Sequence, residues 1–387
     1  MSQVPLVFLI AGEASGDQLG ADLMASLKKN HPVRFAGIGG EAMKEQGLQS
    51  LFPMTDLSII GILGIVRHFS KLWKHLRYTV KTIRLMQPDI VITIDSPEFS
   101  FRVMKQLHKL SQRPKLIHYV APTVWAWRPG RAKRIARFLD HLLCVYPFEP
   151  PYFEKYGLPT TFVGHPIAKK HVVANEEERD PHLICVLPGS RRSEIETLMP
   201  LFKKTIDLLK RDNPDIKVAL PTLPSVESFV RQNVQDWSVP VDIVTGNEKR
   251  KTIFQKAFVA LAASGTVALQ LSAAHLPFVI AYKINTLNAW IGKVLIKTPW
   301  ACMVNILLTF HKFGFMQKNM QQEMPTPWIP EFLQQECTPE RMAAALLILL
   351  HDKKARSRQL KAMEETIKLL HAPPGVAAKV VTAFLAK

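Results

Sequence analysis

The residues most able to do chemistry stand at the ends of apolar runs. Asp95 closes the run Ile90-Val91-Ile92-Thr93-Ile94 and is followed by Ser96-Pro97-Glu98, so a carboxylate sits where proline stops a strand from continuing. Open α/β sheets bind ligands beyond the carboxyl ends of their strands. A carboxylate there either takes a proton as general base or caps the next helix, and spacing alone leaves both open. A second such end is Leu187-Pro188-Gly189-Ser190-Arg191-Arg192, where backbone amides at a helix start plus Arg191 make an anion site fit for a diphosphate. Two arginines at one glycine turn repel each other unless something negative is near, which favours the anion site over a solvated helix start. Ala263-Ser264-Gly265-Thr266 repeats the design, with hydroxyls able to cap a helix or to admit a phosphate close to the backbone. No Walker lysine follows, which argues against ATP hydrolysis.

Three further stretches carry competing readings. AGEASGDQLG, residues 11–20, has the glycine turn of a phosphate-binding βα unit but holds Glu13 and Asp17 where a phosphate cradle would want lysine. Gly37-Ile38-Gly39-Gly40-Glu41-Ala42 satisfies G-x-G-x-x-A, with Asp56 about 20 residues on. That fingerprint belongs to a first βα unit and this match lies in the second, so a tight turn before a helix is the better reading. Trp125 and Trp127, followed by Arg128, lie just past another apolar run, where sugar stacking, packing between lobes and RNA contact are all open.

The elements that must position these residues follow from the apolar runs. Runs at 6–10, 33–38, 90–94, 116–120, 142–145 and 161–163 alternate with helical patterns, and a second series at 183–187, 218–220, 241–244, 258–262 and 278–281 begins after a polar stretch with the acidic run Glu176-Glu177-Glu178. The pattern predicts an α/β protein of two Rossmann-like, doubly wound lobes facing a central cleft. The expected boundaries are 1–168 for the first lobe, 181–353 for the second and 354–387 for terminal helices that either return to the first lobe or exchange between subunits of a homodimer.

Composition bounds the rest. At 387 residues the chain has room for two lobes with their own cores. Its four cysteines show no metal-binding spacing and read as reduced, mostly buried thiols. No run of about 18 apolar residues suggests a membrane span, and no signal-peptide pattern opens the chain, so a cytoplasmic protein is expected. The formal charge of +18 attracts phosphates, nucleic acid or anionic lipid without choosing among them. Between Leu57 and Pro88 there is no acidic residue; apolar residues at helical spacing include Leu63, Ile65, Val66, Phe69, Leu72 and Trp73, beside a stripe of Arg67, Lys71, Lys74 and Arg77. That is the pattern of a helix lying in an anionic membrane surface, although part of it must also cover the sheet.

Taken together, these residues resemble the lipid-A-disaccharide synthase family, membrane-associated glycosyltransferases of the GT-B type. The resemblance runs from near the N-terminus to about Leu350 through AGEASGDQLGA, IDSPEF, IHYVAPTVWAWRPGR, FVGHP, LPGSR, ASGT and QQECTPERMAAALL. It implies transfer of diacylglucosamine from its UDP conjugate to diacylglucosamine 1-phosphate, with inversion and without a metal or other cofactor. Asp95 then matches the family's essential aspartate, the candidate base for the acceptor's hydroxyl. Arg191 matches the arginine of the donor lobe, where it would neutralise the departing UDP with help from Gly189, Ser190, Ser264, Gly265 and Thr266. Asn305 stands at a conserved asparagine. Gly12, Glu13, Ser15, Gly16 and Asp17 would face the glycolipid, joined by Glu98, Trp125, Trp127 and Arg128.

The chain departs from the family at several points. Glu98 and Ser100 replace Asp and Asn, Gln270 replaces a glutamate that accepts hydrogen bonds from ribose, and a longer segment, 307–328, follows Asn305. The expected partners are the two glycolipids and an anionic membrane at the inner face of the inner membrane, with no nucleic acid. The rival readings are another UDP-sugar enzyme on the same fold, a non-enzymatic basic protein binding RNA or membrane, and, third, an NAD-dependent dehydrogenase.

Overall fold

The computed structural model describes residues 4–29, 31–58, 64–170, 176–283, 298–314 and 326–385. Contacts divide the chain into two compact units, one of Met1–Pro166 with Ala372–Lys387 and one of Ile167–His371.

The first unit holds a six-stranded parallel sheet of β1 (Leu6–Ala11), β2 (Arg34–Ile38), β3 (Ile90–Ile94), β4 (Lys115–Tyr119), β5 (His141–Cys144) and β6 (Thr160–Phe162). Every residue of β1 and β3 is buried, because central parallel strands have neighbours on both edges and helices on both faces. The pleat divides β1 between the two faces: Phe8 and Ile10 enter one core, Val7, Leu9 and Ala11 the other. The strand order β2-β1-β3-β4-β5-β6 reverses direction between β1 and β3. Loops diverge at such a switch point, and the ones leaving it here are those of Gly12 and Asp95.

The second unit repeats the plan with β7 (Asp180–Leu187), β8 (Lys217–Thr222), β9 (Val241–Thr245), β10 (Ala257–Ala263), β11 (Phe278–Tyr282) and β12 (Glu331–Leu333), in the order β12-β11-β10-β7-β8-β9. Its switch point falls between β10 and β7, whose following turns are Ser264-Gly265 and Gly189-Ser190.

The terminal helices divide between the units. Lys353–Leu369 packs in the second, where Gln359 accepts from the Phe278 amide at 3.0 Å and donates to its carbonyl at 3.1 Å. Val376–Leu385 packs in the first, burying Ala378 and Val381 among the residues of β1 and β3. The stretch that reads in sequence as a solvated connection ends on a buried residue. Arg179 donates to the carbonyls of Phe254, Ala257, Ala274 and His275 at 2.7–3.0 Å, where two helices end and their dipoles favour a cation.

Candidate functional site

In the first unit, Asp95 and Ser96 both take left-handed backbone conformations, φ 54° and 45°. Such conformations are costly for residues with a side chain and persist only where surrounding bonds over-determine them. Here the Asp95 amide donates to the Tyr119 carbonyl at 2.9 Å, the Ser100 hydroxyl to the Asp95 carbonyl at 2.8 Å, and the Ser96 amide to Asp95 Oδ1 at 2.8 Å. The turn leads into the helix Pro97–Leu107 and holds the carboxylate beyond the end of β3. Partial burial pushes the Asp95 carboxyl above its ordinary range, opposed in part by the Ser96 amide. A raised carboxylate is a better base near neutrality. The β1 loop fits against this turn because residue 12 is glycine: a Cβ there would meet Ser96 Oγ at 2.1 Å.

Around Asp95 stand groups the sequence motifs had not joined. Burial, then the charge of Glu149, then that of Asp95 push the Tyr146 hydroxyl up. Tyr146 stacks on Phe148 and His165, with ring centroids 5.8 and 5.6 Å apart. Glu149 is fully buried; it accepts from the Trp125 indole at 3.2 Å and the Tyr146 amide at 3.1 Å, and burial pushes its carboxyl up to about 8. Glu149 is absent from the sequence reading, and its only signal was an acid in the apolar context Tyr146-Pro147-Phe148. Trp125 is thus a buried packing residue held by Glu149, whereas Trp127 is exposed and carries the Arg128 guanidinium 4.1 Å from its ring centre.

The acidic glycine loop corrects the sequence reading in part. Glu13 and Ser15 are exposed in the first turn of the helix, as a ligand contact requires. Asp17 is buried and accepts from the amides of Gly40, Ala42 and Met43 at 2.7, 2.9 and 3.1 Å. It therefore caps the short helix Glu41–Glu45 instead of facing a glycolipid, since a helix start offers three orphan amides to the nearest carboxylate. The same contact fills the glycine turn that resembled a dinucleotide fingerprint, and Asp56 is spent on Lys71 at 2.7 Å and His75 at 3.1 Å. Gly16 is buried, and a Cβ there would make only ordinary contact with the Ile94 carbonyl, at 3.4 Å. Glu98 is exposed and paired with Arg131 at 2.9 Å and Arg102 at 3.2 Å.

In the second unit a cavity of about 360 Å³ opens at the switch point. Gly189, Ser190, Arg191, Ser264, Gly265, Thr266 and Gln270 all line it, so two motifs more than 70 residues apart in the chain meet there. Arg250 and Thr222 join them; the first carries a cation the motifs did not show, the second a buried hydroxyl oxygen without a hydrogen-bond partner among the described residues. One feature departs from the expected anion cradle. The Ser190 and Arg191 amides donate to Glu194 Oε2 at 3.1 and 3.3 Å, and the Arg191 guanidinium to Oε1 at 3.2 Å. Arg192 pairs with Glu196 at 2.9 Å. The negative charge that two adjacent arginines demanded is thus supplied three and four residues on by the chain itself. Arg191 remains exposed and able to turn toward a ligand.

Asn305 is fully buried and does not line this cavity. Its amide donates to the Ile329 carbonyl at 2.8 Å and to Glu331 at 2.5 Å and accepts from the Ile329 amide at 3.0 Å. It is a substrate-binding candidate that the structure assigns to the frame, since both its donors and one acceptor site of its oxygen are used inside. Ser264 connects to that frame by donating to the Ala301 carbonyl at 3.1 Å. Half of the long segment after Asn305, residues 315–325, lies outside the described residues.

Of the membrane-contact candidates, Leu63 lies outside the described residues, and for Ile65, Val66 and Phe69 the description covers the helical backbone of Gly64–Met86 alone. Leu72 is half-buried against the hydrophobic core and is corrected to a packing residue; Leu76, Val80 and Ile83 further along belong to that core, the part of the stretch expected to cover the sheet. Trp73 is 40% exposed, with Arg77 5.7 Å from its ring centre. Among the described residues no helix is long and apolar enough to cross a membrane, and no three His, Cys, Asp or Glu side chains converge as metal ligands. All four cysteines are buried.

Two parallel six-stranded α/β units, each with its candidate residues at a switch point, define a GT-B-type fold. Solved structures agree at the level of fold. A UDP-GlcNAc 2-epimerase from Neisseria meningitidis bound to UDP-GlcNAc aligns with TM-score 0.61 at 10% identity, covering 99% of this chain and 100% of that one. MurG from Acinetobacter baumannii aligns with TM-score 0.55 at 12% identity over 99% and 100%. A family model described as lipid-A-disaccharide synthetase matches residues 7–380. The chain is 45% identical to the lipid-A-disaccharide synthase of Rhodospirillum centenum, over 94% of this chain and 90% of the relative. It is 40% identical to that of Rhodopseudomonas palustris strain HaA2, over 98% and 96%. The chain belongs to the lipid-A-disaccharide synthase family and is a glycosyltransferase of lipid A biosynthesis.

Proposed function

We propose that the second unit's cavity holds the UDP moiety of a diacylglucosamine donor, and that Asp95 in the first unit is the base for the acceptor, diacylglucosamine 1-phosphate. The observation that carries this reading is the cavity itself, where Arg191 and Arg250 share a wall with the Ser264-Gly265-Thr266 turn. The acceptor's 6-hydroxyl attacks the anomeric carbon from the face opposite the nucleotide. Its proton passes to the Asp95 carboxylate, the anomeric carbon–oxygen bond to the diphosphate breaks, and the configuration inverts. Negative charge then grows on the departing UDP. Arg191 and Arg250 offset it, Arg191 by exchanging Glu194 for the diphosphate, so the step runs without a metal. Gln270 accepts one hydrogen bond from ribose without adding charge.

Peripheral binding at the inner face of the inner membrane fits the exposed Trp73 and the exposed Lys71, Lys74 and Arg77 on one helix. A homodimer is compatible with this reading but carries none of its chemistry. Calorimetric titration with UDP tests the donor half. Arg191→Ala and Arg250→Ala are each expected to weaken UDP by about tenfold or more, and chelation by EDTA to leave turnover unchanged. UDP affinity untouched by both substitutions would refute it.

A further inference from the structure

The first unit has a cavity of its own, about 220 Å³ in volume, that begins at Pro97 and Glu98 on the helix following Asp95. Five cations, Arg102, Lys105, Arg128, Arg131 and Arg134, share it with one carboxylate, Glu98. Glu98 is already engaged by Arg131 and Arg102. Among the described residues Lys105, Arg128 and Arg134 have no carboxylate partner. Like charges crowded on a concave wall repel, and the field they create is strongest inside the concavity.

Beside the Glu98 pairs, aromatic rings hold three of these cations. Arg131 lies 5.3 Å from the Phe101 ring centre with its side chain only 17% exposed, and Lys105 lies 5.8 Å from that of Phe138. Arg128 sits over Trp127 on a left-handed backbone, φ 50°. Contacts with ring faces orient a cation without neutralising it, so Arg128 and Lys105 stay available to an anion. The field also reaches inward: burial first, and then the charge of Arg131, hold His118 down at about 3, which keeps that imidazole neutral.

We propose that this cavity is a phosphate-monoester site, and that the monoester it takes is the phosphate carried by the acceptor sugar. The chemistry, a tetrahedral dianion held by forked guanidiniums, follows from the cavity alone. The source rests on the acceptor assigned under the proposed function. The two substrates of that reaction share a diacylglucosamine and differ at its first carbon, which ends in a monoester on one and in a diphosphate diester on the other. A cation-rich cavity beside the base therefore tells acceptor from donor.

The test is calorimetry on the full-length protein with glucosamine 1-phosphate, glucosamine and inorganic phosphate as probes, each with UDP saturating. Glucosamine 1-phosphate is expected to bind and glucosamine not. In Lys105→Gln/Arg134→Gln the sugar phosphate should weaken by about tenfold or more while UDP affinity stays within about twofold. Lys105→Arg/Arg134→Lys, which keeps the charge, should restore most of the binding; a double variant whose loss is not restored counts against an electrostatic site. Equal binding to wild type and to the glutamine variant, or exclusion of the sugar phosphate by UDP, would overturn the site. Inorganic phosphate binding as tightly as the sugar phosphate would keep the chemistry and overturn the acceptor as its source. A wild type that binds the sugar phosphate yet makes no disaccharide refutes the transferase reading and not this cavity. One that makes disaccharide with an acceptor KM unchanged by the glutamine variant does the reverse.

Discussion

Asp95 and Ser96 hold left-handed conformations that place the Asp95 carboxylate, and partial burial raises it, an effect testable by titration. Its carboxyl stands above the ordinary carboxylate range, so kcat/KM for the acceptor should fall as pH drops through that raised value, at a higher pH than an unperturbed aspartate would give. Asp95→Asn should remove that limb and lower kcat by about 10²–10⁴-fold with UDP affinity intact. Glu149 makes a separate prediction about stability. Its folded-state value of about 8 lies above the reference 4.5, so the folded protein holds a proton that the unfolded chain releases, and stability should decline as pH rises from about 4.5 to about 8. Thermal melts across that interval should show the decline in wild type and a flatter profile in Glu149→Gln; parallel profiles would show that burial does not perturb this carboxyl. At this scale residue type and spacing put Asp95, Arg191 and the Ser264 turn just past strand ends, where the structure has them. The same information misdirected Asp17, and the family resemblance misdirected Asn305, because whether a carboxylate or an amide turns inward depends on which backbone groups the fold brings to it. Glu194 was legible in principle, three residues after Arg191, as the N3 position of a capping box.

Elements were easier to read than side chains. Parallel strands buried on both faces appear as unbroken apolar runs, and the runs in the sequence correspond to β1–β11. The three-residue β12 is too short to show any period and is recognised through Glu331, whose carboxylate gathers the amides of Ala301 and Cys302. The helix Gly64–Met86 divides along its length: Leu72, Leu76, Val80 and Ile83 cover the sheet, and Trp73 stays outside. Sequence periodicity alone could not divide it, since a core stripe and a lipid-facing stripe have the same spacing. Serine at Leu63, Ile65 and Val66 together should release the protein from anionic vesicles in sedimentation while leaving the melting temperature nearly unchanged; retained sedimentation would confine the stripe to packing. The helix Glu41–Glu45 depends on a cap from another element. Asp17→Ala is expected to cost about 1–2 kcal/mol in denaturant unfolding, and no loss would contradict the capping role.

On the scale of the whole molecule, the charge of +18 is not spread evenly. Five cations line the first unit's cavity against one carboxylate, and Lys71, Lys74 and Arg77 are exposed on one helix, whereas Arg191 and Arg250 stand with Glu194 in the second unit's cavity; the proposed ligands of the three are a phosphate monoester, a lipid surface and a nucleotide diphosphate. On the proposed reading one reaction uses all three, drawn from two α/β units whose switch points lie at the Asp95 turn and at the Ser264 turn. The most direct measurement is mass spectrometry of the products formed from UDP-diacylglucosamine and diacylglucosamine 1-phosphate by wild type and by Asp95→Asn. A tetra-acylated disaccharide 1-phosphate with stoichiometric UDP from wild type, and almost none from the variant, is the predicted result. Disaccharide formed equally by both proteins would contradict Asp95 as the base, and UDP released without disaccharide would contradict the transfer itself.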